Sequence, residues 1–203
     1  MKNNTFIDEF YDEKGRFSSY WHQIDEIKKI KPNRCLEVGV GTGFVRDYLL
    51  KCNIPIETID IDEKIKSNHH GNIQSTSFRD NEFDLINCCQ VLEHMPYDSF
   101  KSTLEEMRRI TKSYVLISLP DLSRKYSFQI ELPLFGKVQK IIPLPRLKKI
   151  KWEYNGEHYW NIGVDNYSLA RIILDIENSG FSVVKTYCVF EYNWHRFFLL
   201  EKK

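Results

Sequence analysis

"LEVGVGTGF", residues 36–44, sets a glycine at every second position behind an acid and then runs into a helical pattern. Glycine surrenders more conformational entropy on folding than any other residue, so such density belongs where a tight turn needs it or where a ligand lies against bare backbone. Before the glycines, residues 34–39 ("RCLEVG") form a short buried strand. After them, residues 42–52 place Phe44, Val45, Tyr48 and Leu49 on one helical face. In a doubly wound sheet the ligand lies at the carboxyl ends of the strands, so this turn is the expected cofactor position. It is not a dinucleotide fingerprint: G-x-G-x-x-G counted from Gly39 needs glycine at position 44, where the chain has Phe44. That weakens a nucleotide-dependent oxidoreductase. Asp60 ends the next strand-like run, "PIETID" (residues 55–60). At about 20 residues past the turn, an acid can accept hydrogen bonds from both hydroxyls of a ribose, which implies adenosine without a pyrophosphate.

Working outward, apolar runs rich in β-branched residues alternate with stretches of helical period, the pattern of parallel βαβ units. Residues 6–30 read as a leading helical segment that stops before Pro32. Asp62 and Glu63 read as the cap and first turn of a short helix, and residues 67–73 must hold a third strand although "SNHHGNI" forms strands poorly. "FDLINCC" (83–89) and "YVLISLP" (114–120) are buried strands flanking a helix that starts after Pro96 and repeats Phe100, Leu104, Met107 and Ile110 at helical spacing. Between residues 121 and 161 the alternation breaks, Pro133, Pro143 and Pro145 exclude a long helix, and an irregular insertion is expected. A helix ending at Gly180 and two closing strands, "FSVVKTYCVF" and "RFFLLEK", suit an antiparallel edge pair on an otherwise parallel sheet.

"LEVGVGTG", "TIDID", "DNEFDLINCCQVLEHMP" and "YVLISLPD", in that order and spacing, resemble the class I S-adenosylmethionine-dependent methyltransferases, especially the small-molecule (type 11-like) branch with a "VLEH" segment after the fourth strand. The resemblance runs from about residue 17 to the end of the chain, and "GEHYWNIG" with "HRFFLLEK" is similar to a bacterial subgroup of that branch. It implies an α/β, Rossmann-like doubly wound sheet of seven strands in order 3-2-1-4-5-7-6, the last antiparallel. It also implies one methyltransferase domain over residues 1–203, with 1–31 as a leading helical segment and 121–161 as a substrate lid between strands five and six. By the same resemblance the cofactor is S-adenosyl-L-methionine. Glu37, Gly39, Gly41 and Gly43 would face its methionine part, Asp60 and Ile61 the ribose, and Cys89 and Gln90 the floor under the sulfonium. Asn72 and Ile73 fall where the family places an acid and an apolar residue beside the adenine; Asn72 departs from that acid.

Methyl transfer is a displacement at a carbon that the cofactor already activates, so the protein mainly aligns the partners. An amine or acid acceptor then needs no dedicated base, and a hydroxyl acceptor is helped by one. His94 is the first candidate and His158 the second, each weighed against an ordinary role bonded to nearby backbone. Glu93 reads as support for its loop. Tyr159 and Trp160, inside "GEHYWNIG" (156–163), suit a flap over the acceptor or a hairpin covering a sheet edge. Tyr20 and Trp21 read as core packing, with a place above the cleft as the alternative.

The remaining features set bounds. Net charge +1 gives no general reason to expect nucleic acid, no Pro-Cys pair or N/D-P-P-aromatic run occurs, and the acceptor is therefore expected to be a small molecule. Five cysteines without a CxxC spacing read as buried thiols, and no metal is expected. No apolar stretch is long enough for a membrane span and the first ten residues lack a signal layout, so a cytoplasmic protein is expected. Lys137, Lys140, Arg146, Lys148, Lys149 and Lys151, interleaved with Leu134, Phe135, Ile141, Ile142, Leu144 and Leu147, form either a solvated basic face or a peripheral contact with an anionic membrane. The rival to an enzyme is a non-catalytic module or partner subunit that keeps the cofactor.

Overall fold

The computed structural model describes residues 13–134, 136–146, 148 and 150–203. The amino-terminal part of the expected leading helix, with Phe6 and Phe10, lies outside the described residues, as do Phe135, Leu147 and Lys149 of the basic stretch.

Among the described residues four α-helices and nine strands follow one another as α1 (Lys14–Ile30), β1 (Cys35–Val38), α2 (Phe44–Lys51), β2 (Ile56–Asp60), β3 (His69–His70), β4 (Phe83–Cys89), α3 (Phe100–Ile110), β5 (Thr111–Pro120), β6 (Lys125–Leu132), β7 (Gly136–Pro143), α4 (Leu169–Asn178), β8 (Phe181–Cys188) and β9 (His195–Lys202). Seven strands form one sheet in the order β3-β2-β1-β4-β5-β9-β8. β1 to β5 pair in parallel, and β9 is antiparallel to both neighbours. With β6 and β7 set aside, this is the 3-2-1-4-5-7-6 order implied by the resemblance.

Side-chain alternation along the strands splits the core in two. Leu36 and Val38 of β1, Ile86 and Cys88 of β4, and Val115 and Ile117 of β5 pack with Phe100, Leu104 and Met107 of α3 and Ile172 and Ile176 of α4. On the opposite face Cys35, Leu85, Leu116 and Phe197 pack with Ile24 and Ile27 of α1 and Val45 and Leu49 of α2. Strands covered on both faces cannot alternate apolar with polar, which is why β1, β4 and β5 read as unbroken apolar runs. Ser168 caps α4 by accepting from the Arg171 amide at 3.2 Å, and Gly180 follows the helix with φ of 86°.

Three local expectations need correction. Residues 61–65 form a turn rather than a short helix: the Asp62 carboxylate accepts from the Lys64 amide, and the chain turns back before a helix can propagate. The third strand shrinks to His69–His70, held by the Asn68 side chain, whose Oδ1 accepts from the Thr58 amide. The first half of the insertion is not irregular, while its described residues from 144 to 161 hold no helix or strand. β6 and β7 pair over eight residues each as an antiparallel ribbon, because Tyr126, Phe128, Ile130 and Leu132 alternate with polar residues at a strand's period of two.

Where that ribbon leaves the sheet, Asp121 is buried and ion-paired twice, to Arg196 Nε at 2.6 Å and Lys125 Nζ at 3.1 Å. Burial alone raises a carboxyl pKa, but bonds from Ser123 and Arg196 outweigh it and hold Asp121 at about 2.

Candidate active site

A cavity of about 310 Å³ opens at the carboxyl ends of β1, β2 and β4, where the strand order reverses. Its base is the glycine turn. Gly39 and Gly41 line it with φ of 75° and 53°, left-handed conformations that L side chains rarely take. A Cβ at Gly39 would stand 2.6 Å from Val91 Cγ2, so the close approach also requires glycine there. Gly43, also left-handed, caps the start of α2 and lies outside the cavity wall; a Cβ on it would collide with the Arg46 guanidinium. Its role is the turn's geometry.

Two carboxylates flank this turn. Glu37, on β1, is 4% exposed, and its Oε2 has no hydrogen-bond partner. Burial raises its pKa to about 8 against the opposing influence of Arg46, with Asp47 and Asp60 adding to the rise. Asp60, at the end of β2, ties the turn to its neighbour: Oδ2 accepts from the Val40 amide at 2.8 Å and Oδ1 from the Asp62 amide at 2.9 Å. Each of those oxygens keeps a free lone pair.

The other walls come from four places. Ile61 and Ile73 line the cavity, the first 71% exposed and the second 4%. Asn72 lines it too, but its amide is engaged with Gln74, donating to Oε1 at 2.9 Å and accepting from the backbone N–H at 3.0 Å. Cys89 ends β4 and Gln90 follows it at φ 57°, a conformation usually left to glycine. Its amide nitrogen, in the orientation that satisfies both ends, reaches Glu93 Oε1 and His195 Nε2, each at 3.2 Å. From α1 come Arg16, Ser19, Tyr20 and Gln23; Tyr20 stacks on Phe44 with ring centroids 5.4 Å apart, while Trp21 is 59% exposed and outside the wall.

His94 belongs to the wall and His158 stands behind it, their rings 4.9 Å apart. His94 Nδ1 donates to the Glu157 carbonyl at 3.0 Å, and its surroundings lower its pKa, chiefly by desolvation. His158 Nδ1 meets Asn161 Oδ1 at 2.9 Å. Between them Glu93 is wholly buried; burial raises its pKa to about 8 and its Oε2 has no partner.

The expectation for "GEHYWNIG" is only half met by the geometry. Tyr159 is exposed and stacks on Tyr154, but Trp160 is fully buried against Tyr97 and Phe100, its Nε1 donating to the Met95 carbonyl at 3.1 Å. Instead of a flap or hairpin, the segment is stitched down through the Tyr159 amide to Glu93 O and the Ile162 amide to Pro120 O. Trp160 is thus a core residue and not part of an acceptor wall.

Sequence reading missed Arg16, Ser19 and Gln23 of α1 and His195, and offered Tyr20 a place at the cleft only as the alternative to core packing. His195 lies on β9, bonded to Ser19 Oγ at 2.8 Å, and burial drives its pKa down to about 3. A histidine opening an apolar strand gave no sign of what it would face.

Sheet order, glycine turn and spaced acids define a class I S-adenosylmethionine-dependent methyltransferase domain, whose cofactor is S-adenosyl-L-methionine. The family model described as "Methyltransferase domain" matches residues 36–117, from β1 into β5. Among curated proteins, a ribosomal RNA small subunit methyltransferase A of Bdellovibrio bacteriovorus is 40% identical over 42 residues, 21% of this chain and 15% of that protein. A ubiquinone biosynthesis O-methyltransferase of Hydrogenovibrio crunogenus is 22% identical over 166 residues, 70% of this chain and 67% of that one. The chain thus spans a small part of the first relative and about two thirds of the second. Among solved structures, the 1,6-didemethyltoxoflavin-N1-methyltransferase of Burkholderia thailandensis, with S-adenosylhomocysteine bound, superposes with a TM-score of 0.65 at 12% identity. That match covers 97% of this chain and 81% of the neighbour, and it shows the shared fold.

Proposed function

We propose that this chain transfers a methyl group from S-adenosylmethionine to an oxygen or nitrogen of a small molecule, with a sugar or lipid-linked intermediate as the acceptor class. The observation that carries the reading is Glu37: a buried carboxylate with an unpartnered oxygen, at the base of a cavity whose floor is left-handed glycine backbone. A buried carboxyl with an orphaned oxygen costs on the order of 1–3 kcal/mol, and a cationic amine is the group that would pair with its ionised form. The residues therefore fit the cofactor. Glu37, Gly39 and Gly41 would hold the amino-acid end, Asp60 the ribose hydroxyls, Ile61, Asn72 and Ile73 the base, and Cys89 and Gln90 the floor beneath the sulfur.

When bound, the cofactor supplies a methyl group already activated by positive sulfur. What the chain adds is alignment and exclusion of water, a contribution of roughly 7–11 kcal/mol in well-oriented systems. For a hydroxyl acceptor His94 is placed to take the proton. Because Nδ1 donates to a carbonyl, Nε2 carries the lone pair, and the lowered pKa keeps the ring neutral at pH 7.

The test is calorimetric titration with S-adenosylhomocysteine, followed by turnover of labelled cofactor against a metabolite extract. Steady release of S-adenosylhomocysteine is expected. Binding without turnover would leave the non-catalytic module, and no binding would remove the reading.

The β6–β7 ribbon favours an added contact with an anionic membrane surface. Tyr126, Phe128, Ile130, Leu132, Val138 and Ile142 share one face, all at least 38% exposed, with Lys140 opposite Phe128 on the same face and Lys137 opposite Glu131 on the other. None of the described helices is long and apolar enough to cross a membrane, so such contact would be peripheral. Sedimentation with vesicles containing anionic lipid should show salt-sensitive binding.

A further inference from the structure

We infer that Glu93, His94 and His158 form a binding site for one divalent transition-metal ion of the zinc type, at the acceptor end of the cavity. One ligand atom from each residue falls within 4.8 Å of the others, close enough to surround a single ion. Three further observations agree. Glu93 is wholly buried, and its Oε2 is left without a hydrogen-bond partner. Both histidines are anchored through the same ring nitrogen: His94 Nδ1 on the Glu157 carbonyl at 3.0 Å, His158 Nδ1 on the Asn161 amide oxygen at 2.9 Å. A backbone carbonyl can only accept, so Nδ1 of His94 is its protonated nitrogen and its Nε2 carries the lone pair. An imidazole whose far nitrogen is fixed by an oxygen is the arrangement that metal-binding histidines adopt.

The Glu93 backbone is anchored as well, because its carbonyl accepts from the Tyr159 amide at 2.8 Å. The segment carrying His158 is thereby held against the segment carrying Glu93 and His94. This explains why "GEHYWNIG" is stitched down rather than hinged. Two imidazoles and one carboxylate suit zinc and its first-row neighbours, whereas magnesium and calcium prefer oxygen alone. Three protein ligands leave at least one coordination position open. Since His94 also lines the cavity, that position lies at the acceptor's side. The inference deepens the proposed function and rests on it for its consequence: the ion would take over the task given above to the lone pair of His94. It would bind an oxygen acceptor and lower its pKa, the hydroxyl proton passing to solvent. Arg16 lies close enough to influence both Glu93 and His94, so an affinity below that of a closed structural zinc site is expected.

The experiment uses untagged, chelator-treated full chain titrated with Co²⁺ and followed by visible absorption. One equivalent should bind with d–d bands, be displaced by Zn²⁺, and resist a tenfold excess of Mg²⁺. His158→Ala and Glu93→Gln should each weaken binding at least tenfold, while His70→Ala on β3 leaves it unchanged; circular dichroism checks that each variant is folded. No saturable Co²⁺ or Zn²⁺ binding by the parent chain, equal binding by folded His158→Ala, or ready displacement by Mg²⁺ would overturn the site. S-adenosylhomocysteine titration, run in parallel without metal, keeps the two readings apart. If it fails while the cobalt bands persist, the methyl-transfer reading falls and the metal site stands.

Discussion

The carboxyl ends of β1, β2 and β4 and the β6–β7 ribbon both present apolar and charged groups side by side, to opposite effect. Glu37 in the cleft and Glu93 beside it are buried with orphaned oxygens, the first on a strand of the sheet and the second in the tight turn after β4. On the ribbon, Phe128 and Ile130 remain 46% and 41% exposed, and Leu134 in the connecting turn is completely so. A buried polar atom without a partner and an exposed apolar face are the two departures that ordinary folding stability does not produce. The first calls for a ligand small and polar enough to enter, and the second for a surface broad and apolar enough to cover a strand pair.

The largest expected effect that would break this contrast is on cofactor affinity. Asp60→Ala removes the acid that holds the Val40 amide and the proposed ribose contacts. With charged hydrogen bonds worth about 1.5–3 kcal/mol each, affinity for S-adenosylhomocysteine should fall about 100-fold or more by calorimetry. Unchanged affinity in a folded variant would take Asp60 out of the cleft.

Next in size is the junction between the two regions. Asp121→Asn leaves Lys125 and Arg196 without their buried counter-ion, and chemical denaturation should show a loss of about 3–5 kcal/mol. In the parent chain the low folded-state pKa of Asp121 means that its stabilisation holds above the ordinary carboxyl value of 3.8. It is lost as pH falls toward about 2.

A smaller effect distinguishes the cleft by pH. Glu37 titrates near 8 when folded and near 4.5 when unfolded, so between those values the folded state binds more protons and stability must fall as pH rises. Glu37→Gln should flatten that fall. In the parent chain, cofactor binding near pH 7 should release a proton, seen as a dependence of the calorimetric enthalpy on buffer ionisation.

The smallest effect belongs to the ribbon. Phe128→Ser and Leu134→Ser should change the midpoint of thermal unfolding little, because neither side chain is buried. Both should weaken vesicle binding. A marked thermal destabilisation would show that the ribbon face is packed rather than free.

The comparison also explains what the amino-acid order could and could not reveal. The central strands were legible because a strand buried on both faces is apolar almost throughout, and the turn at residues 39–43 because glycine takes its left-handed backbone angles far more readily than other residues. The ribbon was misread since prolines and lysines masked the period of two in Tyr126, Phe128, Ile130 and Leu132. Trp160 was placed at the acceptor because an aromatic between glycines looks mobile; nothing local discloses that Tyr97, Phe100 and the Met95 carbonyl close around it. Likewise Glu93 beside His94 read as loop support, for the third member, His158, lies 64 positions away. Groups assembled by tertiary contact leave no periodic trace.

His195 bonds Ser19 across 176 residues of chain and closes the cavity from the last strand. The cavity is therefore complete only once a contact very distant in sequence has formed, and such contacts are entropically slow to form. An emerging polypeptide would complete its nucleoside pocket only when β9 has docked, so ligand capture marks the end of folding and favours chains that have reached it.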